Sequence, residues 1–350
     1  MCWLPLVAAV LLAAAAKGQP SHCALGATGG GILAANGLTA EYERPTFGID
    51  AAALWQQDDS TQFWTRFWQQ PLFGFRVNYA RIPHGIAGDR IGLAGTMQST
   101  VAGRLDWVYS VGLSFYTKPY SLTRDANNTY IGSLVNCLID FGFVYRLPLS
   151  DGLAGTLAAK LIHSSNGYMY KPNHGLNYVQ LEAGLLFGPR RRQSHTMRLP
   201  VDTAYTAHGR PFVAVAPSAV MSYFDHPDSI IYHPAYTLQL GYIRHPHPCF
   251  AYGGTVDLSY NFSHRARAPQ HQWPVYPALS AFGDVRWGHY VLRLGLAHYL
   301  GRYPLNHRQY YERVGLYRTF GRGGRHMAGV GMKVHYEHID FIEWTYGVEL

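Results

Sequence analysis

From residue 19 onward the sequence consists of segments of about ten residues in which apolar and polar side chains alternate. None of its apolar runs is long enough to span a bilayer as a helix, which needs about 20 residues. Side chains of a β-strand point to opposite faces in turn, so the alternation predicts strands with one apolar face. The chain is also rich in aromatic residues and glycine, with 26 Tyr, 16 Phe, 8 Trp and 37 Gly, while only 14% of its residues are charged. Aromatic girdles and closed sheets are typical of outer-membrane barrels, because in lipid every backbone polar group must be paired within the sheet.

The pattern therefore predicts an all-β fold, an antiparallel outer-membrane β-barrel of about 14 strands, with 12 to 16 as the range. An even count fits a single-chain barrel. The predicted strands are 72–82, 90–100, 105–117, 137–147, 153–165, 176–187, 211–224, 234–245, 250–263, 276–286, 289–300, 308–319, 325–337 and 340–350.

The domain organisation follows from this pattern. Residues 1–18 have an apolar core and a small-residue ending, which predicts a secretory signal peptide. The sequence does not predict a clear structure for residues 19–71. Residues 60–70 are compatible with an aromatic-rich amphipathic helix or with part of another strand pair. Residues 72–350 are predicted to form the transmembrane barrel. The alternative fold is one or two large secreted β-sandwiches, but the regular alternation and a last strand that runs to Leu350 favour a barrel.

The segment from His163 to Gly167 carries the most specific chemistry. His163 and Ser165 lie two residues apart at the end of a predicted strand, so both point to the same side. That side also carries Leu157 and Leu161 and is expected to face lipid. Asn177 shares it across one hairpin, whereas Glu182 has the opposite parity and is expected to point inward. The alternative is that these are ordinary turn residues, but polar side chains facing lipid are costly unless they are used.

If both barrel termini are periplasmic, the strand that ends at Ser165 runs outward, and the site lies at the outer leaflet of a Gram-negative outer membrane. The formal charge is +8, and Lys171, in the loop after Ser165, is the best candidate for contact with a lipid phosphate. Solvated loops are the alternative explanation for this charge. Cys23, Cys137 and Cys249 remain after signal cleavage and allow at most one disulfide, and no Cys/His spacing predicts a metal site.

The motif resembles that of the lipid A 3-O-deacylases, the PagL-type acyloxyacyl hydrolases of the outer membrane. The resemblance rests on His163-x-Ser165-Asn166 and the following Pro-Asn-x-Gly-x-Asn at 172–177, supported by segments at 55–57, 112–118 and 131–133. It covers about residues 38–190, with the rest expected to extend the barrel. The family pattern has Glu at the place of Asn177.

This resemblance implies that Ser165 is the nucleophile, His163 the general base, and Asn166 with the backbone near Gly167 the oxyanion stabiliser. Asn177 would orient the imidazole, as Asn does in Cys-His-Asn proteases. The implied reaction is hydrolysis of a 3-hydroxyacyl ester of lipid A, with lipopolysaccharide and outer-membrane lipids as partners and no nucleic acid, metal or cofactor. Two other functions stay open: a non-enzymatic porin-like or structural barrel, and a secreted soluble esterase. The sequence does not indicate an oligomeric state.

Overall fold

The protein is described by a computed structural model that covers residues 19–33, 45–82, 87–167, 169–189, 202, 204–223, 230–263, 275–301, 309–335 and 338–350. In this part of the chain sixteen antiparallel strands close into two barrels of eight strands each, which also form separate compact units. Within each barrel every strand pairs with its neighbours in sequence, and the first strand pairs with the last.

The first barrel closes where β1 pairs with β8. A five-residue helix, α1, follows β2. The bounds of these elements are β1 His22–Ile32, β2 Pro45–Gln56, α1 Phe63–Phe67, β3 Leu72–Arg81, β4 Arg90–Ala102, β5 Leu105–Tyr116, β6 Val135–Ser150, β7 Leu153–Ser165 and β8 Leu176–Phe187.

Buried ion pairs fill the inside of the first barrel. Arg76 lies 2.8 Å from Asp50, and Lys160 contacts both Asp50 and Glu182. A barrel of eight strands has an interior just wide enough for side chains. Charges in such a space must be paired, because an isolated buried charge is strongly unfavourable. These charged side chains therefore face the interior.

The outside of the first barrel is apolar. Leu161 on β7 and Leu181 on β8 are 55% and 60% exposed, whereas Lys160 and Gln180, the preceding residues on the opposite face, are 2% and 5% exposed. At one end, the loop from β5 to β6 covers the barrel mouth, and its Ile131 is fully buried in an apolar cluster with Ile162 and Leu176. The catalytic-type motif lies at this same end, on the outer side.

The second barrel closes where β16 pairs with β9. Its interior is likewise filled: Arg313 contacts Asp257 at 2.8 Å and Glu343 at 2.6 Å. The strands are β9 His208–Tyr223, β10 Ile230–His247, β11 Phe250–Asn261, β12 Val275–Trp287, β13 Tyr290–Tyr299, β14 Tyr310–Phe320, β15 His326–His335 and β16 His338–Glu349.

The predicted fold class is confirmed, and each of the fourteen predicted segments overlaps one of the strands β3 to β16. The organisation differs from the prediction of one barrel over 72–350. Residues 19–71 contribute β1 and β2, and the strands close as two sets of eight. The physical reason is pairing between distant segments: β1 supplies the edge on which β8 closes, so the sheet does not continue into β9.

The region 60–70 contains the short helix α1, so the helical alternative is the observed one there. No helix among the described residues has the length and apolar character needed to cross a membrane. The predicted signal peptide, residues 1–18, lies outside the described residues.

Candidate active site

The pairing of β7 with β8 places His163 directly opposite Asn177. The two side chains point to the same outer face, and His163 Nδ1 lies 2.7 Å from Asn177 Oδ1. With the proton on Nδ1 donated to that oxygen, Nε2 is the basic nitrogen of the ring. The strand register alone thus orients the imidazole.

Ser165 ends β7 on the same face as His163 and is only 4% exposed. Its Oγ accepts a hydrogen bond of 2.7 Å from Nδ2 of Asn173. Asn173 belongs to the loop between β7 and β8, which folds back over the end of β7. The hydroxyl is therefore covered by the loop and contacts an amide donor.

Gly175 brings this loop close to both reactive side chains. Its φ of +73° is in the left-handed region, which glycine adopts without strain. A Cβ at this position would lie 3.0 Å from His163 Cε1 and 3.3 Å from Ser165 Cβ. His163 and Ser165 thus border the same small space, and only a glycine leaves it open.

The loop is held from its other side by the segment between β5 and β6. The N–H groups of His174 and Gly175 donate to the carbonyl oxygens of Thr129 and Tyr130, at 3.2 and 2.9 Å. The site is thus built on two rigid strands and a loop that is hydrogen-bonded on both flanks.

Asn166 is buried next to Ser165 and forms hydrogen bonds with two loop residues. Its Nδ2 donates to Ser133 Oγ at 3.0 Å, and its backbone N–H donates to Asn173 Oδ1 at 3.3 Å. The amide that reaches Ser165 Oγ is that of Asn173. The oxyanion role given to Asn166 and Gly167 stays a prediction, as does phosphate contact by Lys171, which lies in the same loop.

Glu182 lies on the inner side of β8, as its parity predicts. Its carboxylate pairs with Lys160, and Arg76 lies 3.7 Å away. It cannot reach the outer face of the sheet, because a shift of one residue would turn every β8 side chain to the other face. The group beside the imidazole is therefore the neutral amide of Asn177.

Sequence reasoning missed the positions of Asn173, Gly175 and Ser133. Asn173 and Gly175 stand in the motif that carried the family resemblance, eight and ten residues beyond Ser165. The Pro-Asn-x-Gly spacing was the available signal, but a strand pattern does not show how a loop folds back. Ser133 stands in the segment 131–133 that also supports the resemblance, but its contact with Asn166 joins two loops that are distant in sequence, which no spacing reveals.

The site contains the groups that nucleophilic acyl transfer uses. It joins a hydroxyl, an imidazole oriented through Nδ1, and an amide donor beside the hydroxyl. Within the described stretches of the chain, no three His, Cys, Asp or Glu side chains are arranged to hold a metal ion.

Comparison with known proteins gives the family. The family model "Lipid A 3-O-deacylase (PagL)" matches residues 49–185, and the model "Acyloxyacyl hydrolase, C-terminal domain" matches residues 205–350. Comparison with curated proteins gave no match.

Similar solved structures include mutant forms of a porin from Rhodopseudomonas blastica. One has a TM-score of 0.19 and 11% identity, and another has a TM-score of 0.20 and 10% identity. In both cases the match covers 94% of this chain and 100% of the porin. TM-scores at this level carry no information about the fold, which rests on the strand pairing described above.

The two family models together cover most of the chain. The first runs from within β2 into β8 of the first barrel, and the second spans the strands of the second barrel. Of the motif residues, His163, Ser165 and Asn177 stand on one outer face of the first barrel. The chain belongs to the lipid A 3-O-deacylase (PagL) family of outer-membrane acyloxyacyl hydrolases.

Proposed function

We propose that this protein hydrolyses a 3-hydroxyacyl ester of lipid A with Ser165 as the nucleophile and His163 as the general base. Family membership supports lipid A deacylation as the activity. The observation that carries the finer proposal is the placement of His163, Ser165 and Asn177 on one outer face, where every other outward residue of β7 and β8 is apolar. Polar groups in such a position are costly, which favours a functional reason for them.

The proposed reaction has two steps. Ser165 Oγ attacks the ester carbonyl while Nε2 of His163 takes the hydroxyl proton, and the C–O bond to the sugar breaks as His163 returns that proton to the leaving alcohol. Water, deprotonated by the same imidazole, then attacks the acyl-enzyme and releases the fatty acid.

Asn173 is suited to stabilise the oxyanion formed in both steps. Its Nδ2 lies 2.7 Å from Ser165 Oγ in the resting site, so it is next to the place where the carbonyl group of the ester would be attacked. A donor of this type is worth about 2.7–4 kcal/mol in the transition state. Asn166 and the backbone near Gly167 are proposed as further donors once substrate is bound.

Asn177 is proposed to take the orienting role of the family's acid. Its Oδ1 fixes the proton of His163 on Nδ1, but a neutral amide cannot stabilise the imidazolium by charge. We therefore expect slower chemistry than with a carboxylate at this position.

The substrate is proposed to enter from the outer leaflet. The site lies at the end of the first barrel that carries the long loop between β5 and β6, while short turns join β4 to β5 and β6 to β7 at the other end. In outer-membrane barrels the longer loops are extracellular. Lys171 is a candidate contact for a lipid A phosphate on that side.

The experiment that tests this proposal uses purified protein in detergent with lipid A as substrate. Ser165→Ala and His163→Ala should each abolish release of the 3-hydroxy fatty acid, and the double variant should be little slower than either single one because the two residues act as a unit. Unheated gel mobility serves as the control for barrel assembly. Full activity of either single variant contradicts the proposed pair.

A further inference from the structure

We propose that the acyl chain of the ester lies against β6, along a strip of outward-facing side chains formed by Cys137, Ile139, Phe141 and Phe143 (the β6 strip). This inference rests on the proposed function, because it starts from Ser165 as the attacking group. It assigns a specificity-determining role to residues that the motif does not contain.

The register of the sheet places the β6 strip beside the reactive residues. Cys137 is directly opposite Ser165, and Ile139 is directly opposite His163. Directly opposed residues of an antiparallel pair have Cβ atoms about 4.5–5.5 Å apart, so an acyl group on Ser165 Oγ would meet Cys137 first.

The other flank of Ser165 is already occupied. Asn173 donates to its Oγ, and Gly175 lies so close that a Cβ there would be 3.3 Å from Ser165 Cβ, so the returning loop occupies this side. A carbonyl oxygen directed at Asn173 leaves the acyl chain to depart on the opposite side, toward β6. The amide donor and the chain thus lie on different sides of the carbonyl carbon, as the geometry of attack requires.

The strip also has the surface that an acyl chain needs. Cys137 and Ile139 are half-buried, Phe141 is 41% exposed and Phe143 is 44% exposed, and none carries a charge. A strand rises about 3.4 Å per residue, so the strip is on the order of 20 Å long, comparable with an extended fatty acyl chain. It runs from the site toward the middle of the barrel wall, the direction that a chain in the hydrocarbon layer takes.

The test measures how a bulky substitution in the β6 strip changes the hydrolysis of a short-chain and a long-chain ester. We expect Cys137→Trp to lower kcat/KM for a long-chain 3-hydroxyacyl ester about tenfold or more, while hydrolysis of an acetyl ester stays within about threefold of wild type. Ile139 is the next outward-facing residue of β6 after Cys137. Ile139→Trp should also hydrolyse the acetyl ester and should also disfavour the long-chain ester. Two variants are used so that a folding defect in one does not decide the result.

Leu181→Trp is the matched control, because Leu181 faces outward on β8, the other neighbour of β7. It should leave the preference for chain length unchanged. A change of preference in Leu181→Trp with none in Cys137→Trp and Ile139→Trp would overturn the inference and place the chain on β8. Equal loss on both esters in assembled Cys137→Trp and Ile139→Trp barrels would also overturn it.

Failure of the proposed function gives a different result. In that case Ser165→Ala retains activity on both esters, whatever the effect of substitutions on β6. A wrong acyl path leaves Ser165→Ala inactive while the β6 variants keep the wild-type preference.

Discussion

Asn177 supplies the group that holds the imidazole of His163 in the proposed active site. Its Oδ1 lies 2.7 Å from His163 Nδ1, so the amide sets the ring orientation and tautomer in the way a carboxylate would. The nearest carboxylate on the same strand, Glu182, points inward and pairs with Lys160. The proposed mechanism therefore places the imidazolium of His163 beside a neutral amide and not beside a carboxylate of β8.

Substitutions at Asn177 and Glu182 separate the orientation of the imidazole from the stabilisation of its charged form. Asn177→Ala should reduce hydrolysis by about two orders of magnitude or more, since the imidazole loses its orienting partner. Asn177→Glu should preserve or raise the rate, because a carboxylate both orients the ring and stabilises its cationic form. Glu182→Gln should leave the rate of the assembled enzyme nearly unchanged, although the loss of a partner for buried Lys160 should lower its thermal stability.

The three variants are compared by their rates of deacylation of purified lipid A in detergent. A large loss in Glu182→Gln with none in Asn177→Ala would contradict the observed register of β7 and β8 and with it the outward-facing site.

At the scale of elements, the β7–β8 hairpin does most of the positioning. Its strands place His163 opposite Asn177, and its loop returns Asn173 to Ser165. The return depends on Gly175, where a positive φ and a close approach to His163 and Ser165 coincide. We therefore expect the activity to be sensitive to a single methyl group at this position.

Gly175→Ala tests this dependence. The new Cβ would lie 3.0 Å from His163 Cε1, which forces a displacement of a few tenths of an ångström at the site, and we expect a loss of about 10- to 100-fold in kcat. Gly103→Ala is the control, because Gly103 also has a positive φ, +53°, but a Cβ there meets open space. Comparable loss in both variants would mean that backbone strain, and not the contact with His163, causes the effect.

The elements differ in how far the sequence predicted them. Strands β3 to β16 have clear alternation and were predicted near their observed bounds. β1 was not predicted, because Gly29, Gly30 and Gly31 and two alanines leave little contrast between its two faces. The trio of His163, Ser165 and Asn177 followed from parity, since register fixes which side chains share a face. Asn173 did not, because its contact depends on the path of a loop that no periodicity describes.

At the scale of the whole molecule, the described strands form two closed barrels. The sequence predicted strands but not the pairs that close the sheet, because closure joins β1 to β8 and β9 to β16 across more than a hundred residues. Both interiors are filled: Lys160 and Arg76 pair with carboxylates in the first barrel, and Arg313 and Lys333 are buried in the second. This argues against the porin-like alternative.

Reconstitution into planar bilayers tests for a channel. Because paired side chains occupy the interior of each barrel, we expect no ion current above that of the lipid alone, with a general porin as positive control. Stable conductance steps that scale with the amount of inserted protein would contradict this expectation and would support the porin-like alternative.

The most direct test of the account is mass spectrometry of lipid A from Gram-negative cells that express the wild-type protein, Ser165→Ala, or neither. Wild type should produce a lipid A species lighter by the mass of one 3-hydroxyacyl group, and Ser165→Ala should match the cells without the protein despite equal amounts of assembled barrel in the outer membrane. An unchanged lipid A profile with assembled wild-type protein, or the same mass loss with Ser165→Ala, would contradict the central claim that this barrel deacylates lipid A through Ser165.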